Sequence, residues 1–121
     1  MITHFKDEEF QCHCCGKGKP HPDLVEQLEK LRTLCGGFPM HINSGYRCPA
    51  HNKDIGGVKN SQHCGDMNGE PGVTRAADVV VRSLGVAAVE FHAKDLFSGV
   101  GKYKTFTHVD VREGRKATWN G

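Results

Sequence analysis

Leucines recur at helical spacing in PDLVEQLEKLRTLC, residues 22–35, so that Leu24, Leu28, Leu31 and Cys35 form one apolar stripe. Pro22 suits a first helical position, and Gly36 and Gly37 stop the run, which predicts a helix over 22–35. PMHIN alternates Met40 and Ile42 against His41 and Asn43, the pattern of a half-buried strand, and leads into the turn-rich SGYRCPAHNKDIGG. Farther on, AADVVVR is β-branched and apolar enough for a buried strand, and SLGVAAVEFHAKDLF reads as a second helix. SGVGKYKTFTHVDVR then predicts a glycine turn followed by a strand ending near Arg112. In that strand, alternation places His108, Asp110 and Arg112 on one face and Val109 and Val111 on the other. Strands and helices do not alternate as repeated βαβ units would. The expected class is therefore a small α+β domain, an antiparallel sheet with helices packed on it.

Length and composition narrow this picture. A chain of 121 residues fits one domain, 1–121, burying about two thirds of its unfolded surface. Its 37% apolar and 25% charged content are ordinary, and a net charge of +2 is too small to point to a nucleic-acid partner. A cysteine-and-histidine module that binds nucleic acid would need a stronger basic face than this chain carries. No stretch approaches the roughly 20 apolar residues of a membrane helix. The start, MITHFKDEEF, has no apolar signal core, so the expectation is a cytoplasmic product when synthesised, without a signal peptide or membrane segment, and a monomer. Six cysteines and eight histidines are the unusual feature. Without a secretion signal, thiols or metal are favoured over disulfides.

The segment NSQHCGDMNGEPGVTRAADVVVR, residues 60–82, has His63 opening a polar glycine-rich loop and Asp78 opening a run of valines. Catalytic zinc takes three protein ligands of the histidine and carboxylate type and keeps a position for water, and His63, Asp78 and His108 would supply that set. Spacing alone is weak, because a histidine and an aspartate so far apart occur together in many chains and a loop histidine is ordinarily solvated. His108 and Asp110 lie roughly 6.5–7 Å apart along a strand, close enough for one to bind and the other to act as base or orienter. In QCHCCGKGKPH, within the Cys/His-rich start 1–21, Cys12, Cys14 and Cys15 with His13 and His21 look like half of a zinc knuckle. Partners would come from Cys35 or Cys48. A second, structural zinc, a disulfide and plain reduced thiols are the three readings.

EFQC near the start, the helix ending LEKLRTLCG, INSGYRCPAHN, IGGVKNSQH, RAADVVV and THVDVR with Trp119 behind it span nearly the whole chain. Together they resemble the zinc D-alanyl-D-alanine carboxypeptidase superfamily, in particular its small single-domain bacterial and phage peptidoglycan peptidases. More distant relatives are the vancomycin-resistance dipeptidases, the L-alanyl-D-glutamate endolysins and the hedgehog signalling domain. The resemblance implies a hedgehog/DD-peptidase-like fold, zinc as cofactor, and His63, Asp78 and His108 as its ligands. It implies that Arg47 contacts a substrate carbonyl or carboxylate and that Ser61 hydrogen-bonds a substrate carboxylate. Tyr46 and Trp119 are read as further substrate contacts, with plain packing as the alternative for each.

Two departures from the family pattern stand out. Fifteen positions separate Asp78 from His63 where the family usually has seven, so residues 64–73 read as a loop insertion that would form an elaborated lip on the cleft. The family's glutamate base, three residues before the last histidine, is Thr105 here. Asp110 is the preferred replacement as catalytic base, its rival role being to orient a ligand histidine; Glu70 and His92 are weaker candidates. The expected function is zinc-dependent hydrolysis of peptidoglycan stem peptides next to D-amino acids, as a carboxypeptidase or an endopeptidase, with a phage lysis type acting at the cell wall among the options. The alternative is a non-catalytic binding domain that keeps the fold.

Overall fold

The computed structural model describes residues 4–121. A strand β1, Lys19–Pro20, precedes helix α1, Pro22–Leu34, which starts where the His21 imidazole accepts from the Asp23 amide. Leu24, Leu28 and Leu31 are fully buried, and each contributes roughly 1.5–3 kcal/mol on leaving water. The helix ends as predicted, with Gly36 and Gly37 at φ of 96° and 75°, a region closed to most side chains.

Strand β2, Met40–Ser44, carries Met40 and Ile42 inward and His41 outward. A short helix α2, Pro49–Asp54, occupies the segment read as turns; Cys48 caps it by accepting from the His51 amide, and Pro49 opens it. Strands β3, Val73–Thr74, and β4, Ala76–Val81, follow, then helix α3, Val86–Ala93, shorter than its apolar run suggested. Strand β5, Gly99–Lys102, stands where a glycine turn was expected, and β6, Thr107–Asp110, and β7, Ala117–Asn120, complete the chain.

Five strands form one sheet in the order β2-β4-β6-β5-β7. Its pairs are antiparallel except the last, because β7 runs parallel to β5. Ile42, Ala77, Val79, Val81, Val100 and Val109 join Leu24, Leu28, Leu31, Val89 and Phe97 in one core, so α1 and α3 cover one face of the sheet. The opposite face carries the chemistry. In register across it lie Asp78 on β4, His108 on β6, Gly101 on β5 and Trp119 on β7. The next row holds Ala76, Asp110, Gly99 and Ala117.

Glycine is required at two of these positions. A Cβ on Gly99 would lie closer than 3.0 Å to the Asp110 carboxylate, and one on Gly101 would meet the Trp119 indole. The glycines therefore mark a strand over which large side chains fold.

Loop 64–73 is ordered by local bonds. It makes a single 3-10 turn, Gly65–Asn68, and then β3, which pairs parallel with β1. Asp66 accepts from the Tyr46 hydroxyl at 2.7 Å and from the Gly72 amide at 3.0 Å. Among the described residues no helix is long and apolar enough to cross a membrane.

Candidate metal centre

Alternation on β6 drives Val109 into the core and turns His108 and Asp110 to the other face, while β4 does the same for Val79 and Asp78. Asp78 and His108 are direct cross-strand partners, a placement that brings Cβ atoms to about 5 Å. His63 arrives from the loop after α2. Its carbonyl accepts from the Arg47 amide at 2.9 Å, its amide donates to Ser61 Oγ at 3.2 Å, and its Nδ1 lies 2.6 Å from the Gly45 carbonyl.

Three donor atoms converge: His63 Nε2 is 3.2 Å from Asp78 Oδ1 and 3.2 Å from His108 Nδ1, and the last two are 3.1 Å apart. Bonds of 2.0–2.2 Å at tetrahedral angles require donor separations of about 3.3 Å, so the set fits zinc. The far nitrogens are also accounted for. The Gly45 carbonyl can accept only from a protonated His63 Nδ1, and the Asp110 carboxylate, 2.7 Å from His108 Nε2, can accept only from a protonated Nε2. Both rings thereby present a lone pair to the shared point, the outer-shell arrangement that holds metal-binding histidines.

With no metal bound, electrostatics set the two rings apart. Burial alone would raise the Asp78 carboxyl, but hydrogen bonds to His108 and His63 hold it far below the usual range. Burial lowers His63 toward its neutral form. Burial would also lower His108, yet its bonds to Asp110 and Asp78 push it up. Asp110, against its own burial, is brought down to about 2 by Arg112 and His108. One anion thus sits between the two imidazoles, with a second anion behind one of them.

The donors open onto a cavity of about 390 Å³. Ile55, Gly56, Gly57, Val58, Tyr103, Phe106 and Trp119 line it together with the polar Arg47, Ser61, Gln62 and Arg112. Tyr103 and Phe106 stack with centroids 4.6 Å apart, and the Trp119 indole donates to the Tyr103 hydroxyl at 2.9 Å. Arg47 is not the surface ion-pair arginine of the ordinary reading: among the described residues it makes no salt bridge, its Nε is buried without a partner, and its Nη2 donates weakly to Ser61 Oγ at 3.4 Å. A larger hollow of about 730 Å³ between β1 and α1, lined by Asp7, Lys19, Pro20, Pro22, Val25, Glu26, Glu29 and Lys30, has no such convergence of ligands.

Several expectations change. Tyr46 is not on the cavity: it is 5% exposed, its hydroxyl donates to Asp66, and burial together with that bond pushes the Tyr46 hydroxyl above its usual pKa. Loop 64–73 contributes nothing to the cavity wall, since β3 ties it to β1; the apolar lip is Ile55 and Val58 instead. Asp110 is fully buried, with both oxygens engaged by Arg112 and His108, which leaves no access for a base. Glu70 is held by Arg75, and neither it nor His92 lines the cavity. Thr105 is exposed.

Tyr103 and Arg112 were missed as cavity residues. The Arg112 guanidinium lies 5.2 Å from the Trp119 ring centre, and only its place on the His108 face of the strand hinted at this.

At the N-terminal end, Cys12, Cys15 and Cys48 bring their sulfurs within 4.8 Å of one another, and Cys35 lies apart in the core. Burial would raise the Cys12 thiol, but the backbone N–H groups of Cys48, Cys15 and Cys14 and the Cys48 thiol bring it down to about 7.

Comparison with curated proteins finds no match. The Peptidase M15 family profile matches residues 3–110, a span that takes in His63, Asp78 and His108 and nearly all of the sheet that carries them. With that match over most of its length, the chain belongs to the Peptidase M15 family of zinc metallopeptidases.

Proposed function

We propose that the protein hydrolyses peptide bonds next to D-amino acids in peptidoglycan stem peptides, with zinc held by His63, Asp78 and His108. The observation that carries this reading is the convergence of three donor atoms at 3.1–3.2 Å beneath a cavity whose Arg47 guanidinium has no anionic partner of its own. Zinc bound there supplies Lewis-acid chemistry, polarising a carbonyl and lowering the pKa of water toward about 7.

The chain's own groups do the rest. Arg47, with Ser61 beside it, presents a planar cation to a substrate carboxylate or to a carbonyl oxygen gaining charge. Ile55, Val58 and the Tyr103, Phe106 and Trp119 rings give the cavity an apolar lining suited to small alkyl side chains and peptide planes. Asp110 acts through His108: by accepting from Nε2 it keeps the ring in one tautomer and one orientation, and Arg112 fixes the carboxylate in turn. Incubation of zinc-loaded protein with purified muropeptides, followed by mass spectrometry, should show a new amine and a new carboxylate at a bond beside a D-residue, and Asp78→Ala should show neither.

A second reading has one observation in its favour. Among the described residues Asp78 is the only carboxylate lining the cavity, and the usual base position is the exposed Thr105. On that reading the domain binds stem peptides without cleaving them. Muropeptides retained intact by the zinc-loaded protein, with no new ends, would establish it over the hydrolytic one.

A further inference from the structure

We propose that Cys12, Cys14, Cys15 and Cys48 form a second, closed zinc site that clamps the N-terminal segment to the loop carrying Arg47.

Cys12 and Cys15 have the two-residue spacing of a knuckle pair, and Cys48 comes from a distant part of the chain to complete three sulfurs within 4.8 Å of one another. Tetrahedral zinc with Zn–S bonds of about 2.3 Å needs sulfur separations of about 3.8 Å, a small contraction of that cluster. Cys14, next to Cys15 in sequence and exposed, lies outside that mutual set and would turn inward to supply the fourth ligand. None of these sulfurs is in a disulfide.

The backbone around them is arranged for negative sulfur. The Cys48 amide donates to Cys12 Sγ at 3.5 Å, and the His51 amide donates to Cys48 Sγ at 3.4 Å. Neutral thiols need no such set of donors, whereas thiolates bound to a metal are held by amides of this kind. Four soft ligands with no open position select zinc for a structural role.

The place of the site in the fold gives the clamp its purpose. The Tyr46 amide donates to the Phe10 carbonyl at 2.7 Å, and Gly45 packs against the Phe10 backbone so closely that a Cβ there would lie closer than 3.0 Å to it. Segment 45–48 therefore rests on segment 10–15. It carries the Gly45 carbonyl that orients His63, and Arg47 on the cavity. Zinc at the four cysteines would fasten the two segments just beyond that contact.

Zinc per chain in freshly purified parent, Asp78→Ala and Cys48→Ser proteins tests this independently of the peptidase reading. The expected values are about two ions for the parent and about one for each variant. Cobalt substitution guards against a variant that fails to fold: parent and Asp78→Ala should both show the intense near-ultraviolet thiolate-to-cobalt charge-transfer band. Cys14→Ser, altered at an exposed residue, should weaken zinc retention and lower the melting midpoint by on the order of 10 °C. A parent with about one zinc that Asp78→Ala loses completely, a cobalt protein without the thiolate band, or an intact mass lower by a pair of hydrogens from a disulfide would each overturn the proposal. Failure of the first centre looks different, because Asp78→Ala would then keep the parent's full zinc content.

Discussion

Replacing Gly99 by alanine reaches the metal centre without touching a ligand. The added methyl would come closer than 3.0 Å to both Asp110 carboxylate oxygens, whereas ordinary contact starts at 3.4 Å. The carboxylate must therefore retreat by roughly 1 Å. It cannot do so freely: Arg112 donates to it through its amide at 3.1 Å, Nε at 2.8 Å and Nη2 at 2.7 Å, and the 2.7 Å bond to His108 Nε2 completes its shell. Overpacking of this kind costs about 1–3 kcal/mol, and weakening one charge-assisted hydrogen bond adds about 1.5 kcal/mol or more, so the loss of stability should be near 3 kcal/mol. A ligand histidine deprived of its outer partner typically loses about 10- to 100-fold in metal affinity, or about 1.4–2.7 kcal/mol. The assay is zinc competition against a chromophoric chelator, with Asp78→Ala marking the contribution of this centre, alongside a thermal melt. Gly85→Ala is the control, since a Cβ there meets nothing within 4 Å and its φ is −73°. Parent-like zinc affinity in Gly99→Ala would refute the role given to Asp110.

Arg47→Ala should raise KM for a carboxylate-bearing stem peptide by about 10-fold or more while leaving the melting midpoint nearly unchanged, because the guanidinium has no ion-pair partner to lose; steady-state kinetics on the two proteins decide it. Tyr46→Phe should do the opposite, costing about 1 kcal/mol in urea unfolding through its bond to Asp66 and leaving KM alone; a shifted KM would return Tyr46 to the substrate site. In metal-free protein, Asp110 has a folded pKa of about 2 against an ordinary 3.8, so its contribution of about 2 kcal/mol is present above pH 3.8 and disappears as pH falls toward 2. The stability gap between parent and Asp110→Asn should accordingly narrow over that window, and a gap that widened on acidification would contradict the assignment.

Periodicity made much of this molecule readable in advance. The leucine stripe of 22–35 and the alternation around His108 depend only on the geometry of a helix and a strand, and both elements bury the side they were expected to bury. Residue chemistry offers the ligand trio and the resemblance singles it out, since spacing does not relate three residues on a loop and two strands. Strand β5 was misread because Gly99 and Gly101 look like a turn until Asp110 and Trp119 are seen lying over them. Helix α2 is too short for its period to register. Tyr46, read as a substrate contact or as plain packing, gives its hydroxyl instead to Asp66, a partner twenty residues away that local pattern does not reveal.

The sequence by itself determined the local matters: where α1 begins and ends, which face of β6 is apolar, and which residue types are able to bind metal. Those follow from interactions within a few residues of the chain. Only the tertiary structure decided that Asp110 stands behind His108 rather than in the cavity, that Arg47 is left without an anion, that Ile55 and Val58 replace loop 64–73 as the lip, and that Cys48 joins Cys12 and Cys15. Each depends on strand register and loop closure between segments far apart in sequence, which local pattern does not encode.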